Sequence, residues 1–203
     1  MAEAARLDRR PIRRAGSETE QQPEMEFRAM AVEFPIVRGH PNRLPFEGVL
    51  TLIDVASDRS PKGARGHRVV LTRTAAEAAL PGLLGMAVDY KAGWDGHDAR
   101  QKCGVITSAE IVGSRLLVAG YLYARDFPEL EAKVQSEGLM GMSYELADAH
   151  VADIRAQVWT LTRATFTGAA ILLRDKAAYR STSFRVRRPA DSSAAGLRRK
   201  AEL

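Results

Sequence analysis

Residues 97–145 read HDARQKCGVITSAEIVGSRLLVAGYLYARDFPELEAKVQSEGLMGMSYE, and the order of elements in this stretch decides the fold. It opens on a histidine flanked by Asp95, Gly96 and Asp98, which is turn chemistry. Two β-rich runs follow, residues 104–110 and 116–123, joined through Val112, Gly113 and Ser114. Asp126 and Glu129 have the spacing of a helix-capping pair. Phe127, Leu130 and Val134 then recur at i, i+3 and i+7, one apolar face of a helix. Gly138 stands where a C-cap glycine belongs. Gly141 and Ser143 open the next strand, residues 140–146.

Working outward, residues 46–57 alternate and are β-rich, and residues 68–72 predict another strand. Between them residues 58–66 hold Ser, Pro, glycines and charges, a loop composition. Thr74 with Glu77 predicts a capped short helix that Pro81 cuts off. Downstream, residues 158–166 read as a strand, 169–173 as a short apolar run and 175–179 as one turn of helix. Many strands with two or three short helices, not in βαβ alternation, predict an α+β fold, a small mainly antiparallel β-barrel decorated by short helices.

Bulk properties set limits. The chain has 203 residues, 45% of them hydrophobic and 27% charged, which suits one globular domain with tails. The domain is expected over residues 26–186, between disordered basic tails at 1–25 and 187–203. The net charge is +5; residues 1–16 carry +3 and residues 185–203 carry +4, so the middle of the chain sits at −2. A near-neutral middle argues against a nucleic-acid groove in the domain. No apolar run reaches the length of a membrane span, and the first thirty or so residues are Arg-rich without a secretory-type apolar stretch, so the expectation is a cytoplasmic protein. The single cysteine, Cys103, excludes an intrachain disulfide and a four-cysteine zinc site.

Two constellations can carry chemistry. His97 is an imidazole in a turn, and such a group can take a proton from a hydroxyl. Ser143 follows two glycines, which permit a tight backbone and close approach of a substrate. It is not the G-x-S-x-G elbow, because Glu145 stands where that motif has glycine. Cys103 lies in an apolar strand context where thiols are inert. Asp89, Asp95 and Asp98 do not have calcium-loop spacing and suit a solvated acidic turn better. Trp94, Tyr121 and Tyr123 are too sparse for a base-stacking platform, and His40 and His67 show no partner spacing. No metal or cofactor is expected.

Taken together, these features resemble the phage prohead (capsid maturation) proteases, whose fold is related to herpesvirus assemblins. His97 with Asp98 resembles the family's "HD"; Cys103 to Ile106 resembles its "IGV" strand; residues 116–123 resemble "LxVxGxL"; residues 127–138 resemble its helix; residues 139–145 resemble "LSGLSIGY"; and residues 159–173 resemble the closing "LxEVSLVxxPA". The resemblance covers roughly residues 85–180 and implies a serine endopeptidase with Ser143 as nucleophile and His97 as general base. It implies action on phage scaffold and major capsid proteins inside an assembling procapsid in the host cytoplasm, self-cleavage, and a homo-oligomer. The family's acidic position is occupied here by Arg163, which cannot accept a hydrogen bond from imidazole. His150, Asp148 and Asp98 are the available third members, with His150 favoured because assemblins use a second histidine. The alternative is a catalytically inactive assembly or scaffold module on the same fold.

Overall fold

The computed structural model describes residues 29–32, 39–137 and 140–187. The expected tail at 1–25, nearly all of the one at 187–203, and the expected cap at Gly138 lie outside the described residues. The strands are β1 (Ala29–Ala31), β2 (Leu44–Leu52), β3 (Arg68–Leu71), β4 (Ala87–Tyr90), β5 (Lys102–Val112), β6 (Arg115–Leu122), β7 (Met140–Val151), β8 (Val158–Leu173) and β9 (Ser183–Val186). Two α-helices, α1 (Arg73–Ala79) and α2 (Pro128–Glu137), and two 3₁₀ turns, Leu80–Leu83 and Arg174–Lys176, complete it.

Strands pair in the order β5-β4-β8-β7-β9-β2-β6, and β6 pairs back onto β5, so the sheet closes into a seven-stranded barrel. β1 extends β5, and β3 joins the first half of β8. All pairings are antiparallel except those of β3 and β4 with β8, so the α+β, mainly antiparallel barrel read from the sequence is the observed fold. Closure removes most exposed strand edges. β7 is the exception: it pairs β8 along its length but β9 only at Met140.

The barrel is filled by inward residues at the strand period, among them Phe46, Leu50, Ile106, Leu116, Leu122 and Met140. Coiling brings backbones close at Gly120, where an added Cβ would collide with the Val105 carbonyl, next to the register shift between Ile106 and Ser108. The predicted face of α2 is the one buried: Leu130 and Val134 pack inward and Phe127 meets Tyr90 edge-on, centroids 6.0 Å apart.

Several details differ from the sequence reading. The cap of α1 is Thr72, not Thr74: its Oγ1 accepts from Ala75 N at 3.2 Å, and Glu77 instead pairs with Arg73. Helix α2 begins on Pro128, while Asp126 accepts from Asn42 Nδ2 at 2.6 Å. Residues 158–173 form one long strand rather than two pieces, and β1, β4 and β9 were not anticipated. These last are three or four residues long, too short to show a period.

Candidate active site

Three strands position the site. β8 lies between β4 and β7, and the register places Asp89 opposite Ala170 and Ala170 opposite Ser143. Residues in cross-strand register share a face of the sheet. Asp89, Ala170 and Ser143 therefore form one row on the outward face, while Val88, Ala169, Ile171 and Met142 turn into the core. Two strand spacings separate the outer members, about 10 Å. That span suits a carboxylate, an imidazole and a hydroxyl in sequence.

The imidazole comes from the loop between β4 and β5. Its shoulders are fixed: Trp94 stacks on Tyr90 with centroids 4.7 Å apart, Leu173 N donates to the Trp94 carbonyl at 2.8 Å, and Lys91 pairs with Asp95 at 3.0 Å. Trp94 itself adopts left-handed backbone, φ 55°, an uncommon state for an aromatic residue. On the far shoulder Asp98 is gripped by Arg100 through Nε at 3.1 Å and the backbone N–H at 3.0 Å, which lowers the Asp98 pKa. Between these anchors His97 is brought beside Asp89, and it lines the same groove as Ser143.

His97 Nδ1 is 3.4 Å from Asp89 Oδ1 and 3.8 Å from Glu145 Oε1. Asp89 is fully buried, and its other oxygen accepts from Lys102 Nζ at 2.8 Å. Lys102 supplies the counter-charge that a buried carboxylate requires and leaves Oδ1 facing the ring. Among the described residues, the buried side-chain polar atoms without an aligned hydrogen bond are Asp89 Oδ1 and both ring nitrogens of His97. These unsatisfied buried atoms meet at one point, beside the groove that Ser143 also lines. A proton on Nδ1 turned toward Asp89 leaves Nε2 as the acceptor.

His97 and Ser143 line one groove of about 1130 Å³, together with Gly96, Glu145 and the segment from Arg59 to Arg65. Gly141, two residues before the serine, lets β7 pass close to the turn at Arg174: a Cβ there would lie 3.1 Å from Arg174 Cα and from Thr182 Oγ1. Thr182 Oγ1 also accepts from Met142 N at 3.3 Å, fixing the strand directly before Ser143.

His150 is not brought to this place. From Ser143 to His150 the strand runs roughly 20 Å. Asp148 in left-handed backbone, φ 50°, shifts the register there. Ala149 and Val151 line the far end of the groove, whereas His150 is exposed and its Nε2 accepts from the Arg163 guanidinium. Arg163, at the position where the resembled family has an acid, is thus occupied on the surface. Asp98 is held by Arg100, and Asp148 is an exposed bulge residue.

The residue that the sequence reading misplaced is Asp89, assigned there to a solvated acidic turn but fully buried on β4. Its only signal was a carboxylate in an apolar run, Ala87-Val88-Asp89-Tyr90, and the run is too short to announce a strand. Asp89, Asp95 and Asp98 each have their own cation, Lys102, Lys91 and Arg100. Among the described residues no group of three or more His, Cys, Asp or Glu side chains is arranged to hold a metal. Cys103 is buried, its Sγ contacts the Val88 carbonyl at 3.3 Å, and burial pushes its pKa up to about 12, so it is no nucleophile near neutral pH.

No family model and no curated protein matches the sequence. Solved structures are similar at a distance. One of them is a KSHV protease in complex with a hexapeptide phosphonate inhibitor, 13% identical, with a TM-score of 0.47. The match covers 73% of this chain and 66% of that protease, so the chain spans less than two thirds of its length. Among the described residues no helix is long and apolar enough to cross a membrane.

Proposed function

We propose that this chain is a serine endopeptidase in which Ser143 is the nucleophile, His97 the general base and Asp89 the group that orients His97. The register row of Asp89, Ala170 and Ser143, with His97 beside Asp89 and on the same groove as Ser143, carries this reading. A serine hydroxyl is a negligible nucleophile at neutral pH without a base. Ser143 Oγ attacks the scissile carbonyl carbon as His97 Nε2 takes its proton. Asp89 stabilises the imidazolium through Nδ1, and Lys102 keeps that carboxylate in place. The imidazolium then protonates the departing amine, leaving an acyl-Ser143. A water molecule, deprotonated by the same nitrogen, hydrolyses the ester.

The sequence resemblance to prohead proteases extends the proposal to the substrates. These are scaffold and major capsid proteins of an assembling phage procapsid in the host cytoplasm, with the chain's own tails as further targets. The inactive assembly-module alternative drew on Arg163, and that residue lies outside the groove beside His150.

The test is covalent labelling. The full chain is treated with a fluorophosphonate, and the labelled residue is located by mass spectrometry. Labelling at Ser143 that is lost in His97→Ala supports the reading. If Ser143 stays unmodified while free surface serines react equally, the peptidase reading fails and the assembly module replaces it.

A further inference from the structure

One wall of the groove is the segment between β2 and β3, and it is cationic. Arg59, Lys62 and Arg65 all line the groove and are exposed. Their backbone is fixed: Asp58 N and Arg59 N both donate to the Ala178 carbonyl, at 2.9 and 3.3 Å, Ala64 is buried, and His67 N donates to the Ala64 carbonyl at 2.8 Å. The charges are thus presented from a tied loop.

Several other cations around the barrel are matched: Arg73 with Asp54 and Glu77, Lys133 with Glu137, and Arg185 and Arg187 with Glu47. Arg59 and Arg65 make no ion pair or side-chain hydrogen bond with another described residue. Lys62 stands near Asp95 and helps lower its pKa, but that carboxylate already bonds Lys91 at 3.0 Å. The wall therefore has charge to spare, and it borders the reacting groups His97 and Ser143.

We infer that this groove selects an extended peptide bearing acidic side chains next to the scissile bond, with Arg59, Lys62 and Arg65 receiving the carboxylates. The inference rests on the peptidase reading above and adds its substrate class. Among the described residues β7 has no second strand partner beyond Met140, so a peptide can lie along its edge and bring a carbonyl to Ser143. A nucleic-acid strand fits less well. Its phosphates would run past Asp95 and Glu145, and the far end of the groove is lined by Val151, Ile154, Trp159 and Leu161.

The chain itself supplies a peptide of the required chemistry. Residues 17–27, SETEQQPEMEF, contain Glu18, Glu20, Glu24 and Glu26 and no lysine or arginine. The experiment measures binding of this synthetic peptide, and of its counterpart with those glutamates replaced by glutamine, by fluorescence anisotropy. The protein is the full chain with Ser143→Ala to prevent turnover, and with Glu18, Glu20, Glu24 and Glu26→Gln to stop its own segment competing. The acidic peptide is expected to bind at least tenfold tighter. Arg59→Gln, Lys62→Gln and Arg65→Gln together should abolish that preference without changing affinity for the neutral peptide, which reports that the groove is intact. Equal binding of both peptides, binding of neither, a preference that survives the three substitutions, or tighter binding of an oligonucleotide of equal charge overturns the inference. Fluorophosphonate labelling of Ser143 in the chain carrying only the three loop substitutions reads the peptidase proposal separately, so the two can fail independently.

Discussion

Asp89 and Ser143 stand in register on either side of Ala170, each directly opposite it and on the same outward face of the barrel. Neither side chain reaches the other. Beside Asp89, and on the same groove as Ser143, stands His97, delivered from a loop whose two shoulders are bonded to the sheet and to themselves.

Asp89→Asn is expected to lower kcat roughly 10²–10⁴-fold with little change in KM, because the amide can present its N–H to the ring and hold the wrong tautomer. Peptide-cleavage kinetics on the purified variant, with circular dichroism to verify folding, measure this. Activity within threefold of wild type would remove Asp89 from the mechanism.

Ala170 is fully buried and sits between the acid and the serine. Ala170→Val adds two methyl groups beneath the imidazole. Overpacking of this kind costs about 1–3 kcal/mol. It should also displace His97, lowering the rate of Ser143 labelling at least tenfold. Thermal unfolding and labelling rate are followed together; a lower melting temperature with an unchanged rate would mean the ring does not rest on Ala170.

His150→Ala is expected to leave cleavage and Ser143 labelling within about twofold of wild type, since His150 faces solvent beside Arg163 and surface changes of this type are nearly neutral. His97→Ala in the same assay should abolish both. A loss in His150→Ala comparable to that in His97→Ala would restore the second histidine as the third member.

Cys103 should resist a thiol reagent in the folded protein at pH 8 and react fully once the chain is unfolded in denaturant, because burial raises its pKa to about 12. The sign for stability follows. The unfolded thiol ionises near its ordinary value of 9.0 while the folded one does not, so its contribution is intact below pH 9 and declines as pH rises from there toward 12. Denaturant unfolding of wild type and Cys103→Ala at pH 7.5 and pH 10 tests this; the wild type should lose more stability between the two. Rapid modification in the folded state would contradict the burial.

The barrel was legible in the sequence alone, and so were His97 and Ser143 as candidates, which the structure puts on one groove. The run from His97 to Glu145 sets strand pair, helix and serine strand in order, and local physics suffices there. Long alternating strands such as β5 and β6 show their period, Leu130 and Val134 show theirs, and Gly141 marks the close backbone approach beside Ser143. The tertiary structure decided which acid meets the imidazole. Asp89 precedes His97 in the chain, on a four-residue strand without a readable period, and reaches the site only because β4 pairs in parallel with the far half of β8. That parallel pairing, like the bulge at Asp148 that turns His150 away, is fixed by strand register across the closed barrel. Register is a long-range property: it comes from which inward side chains fill the core together, and no local stretch of sequence contains it.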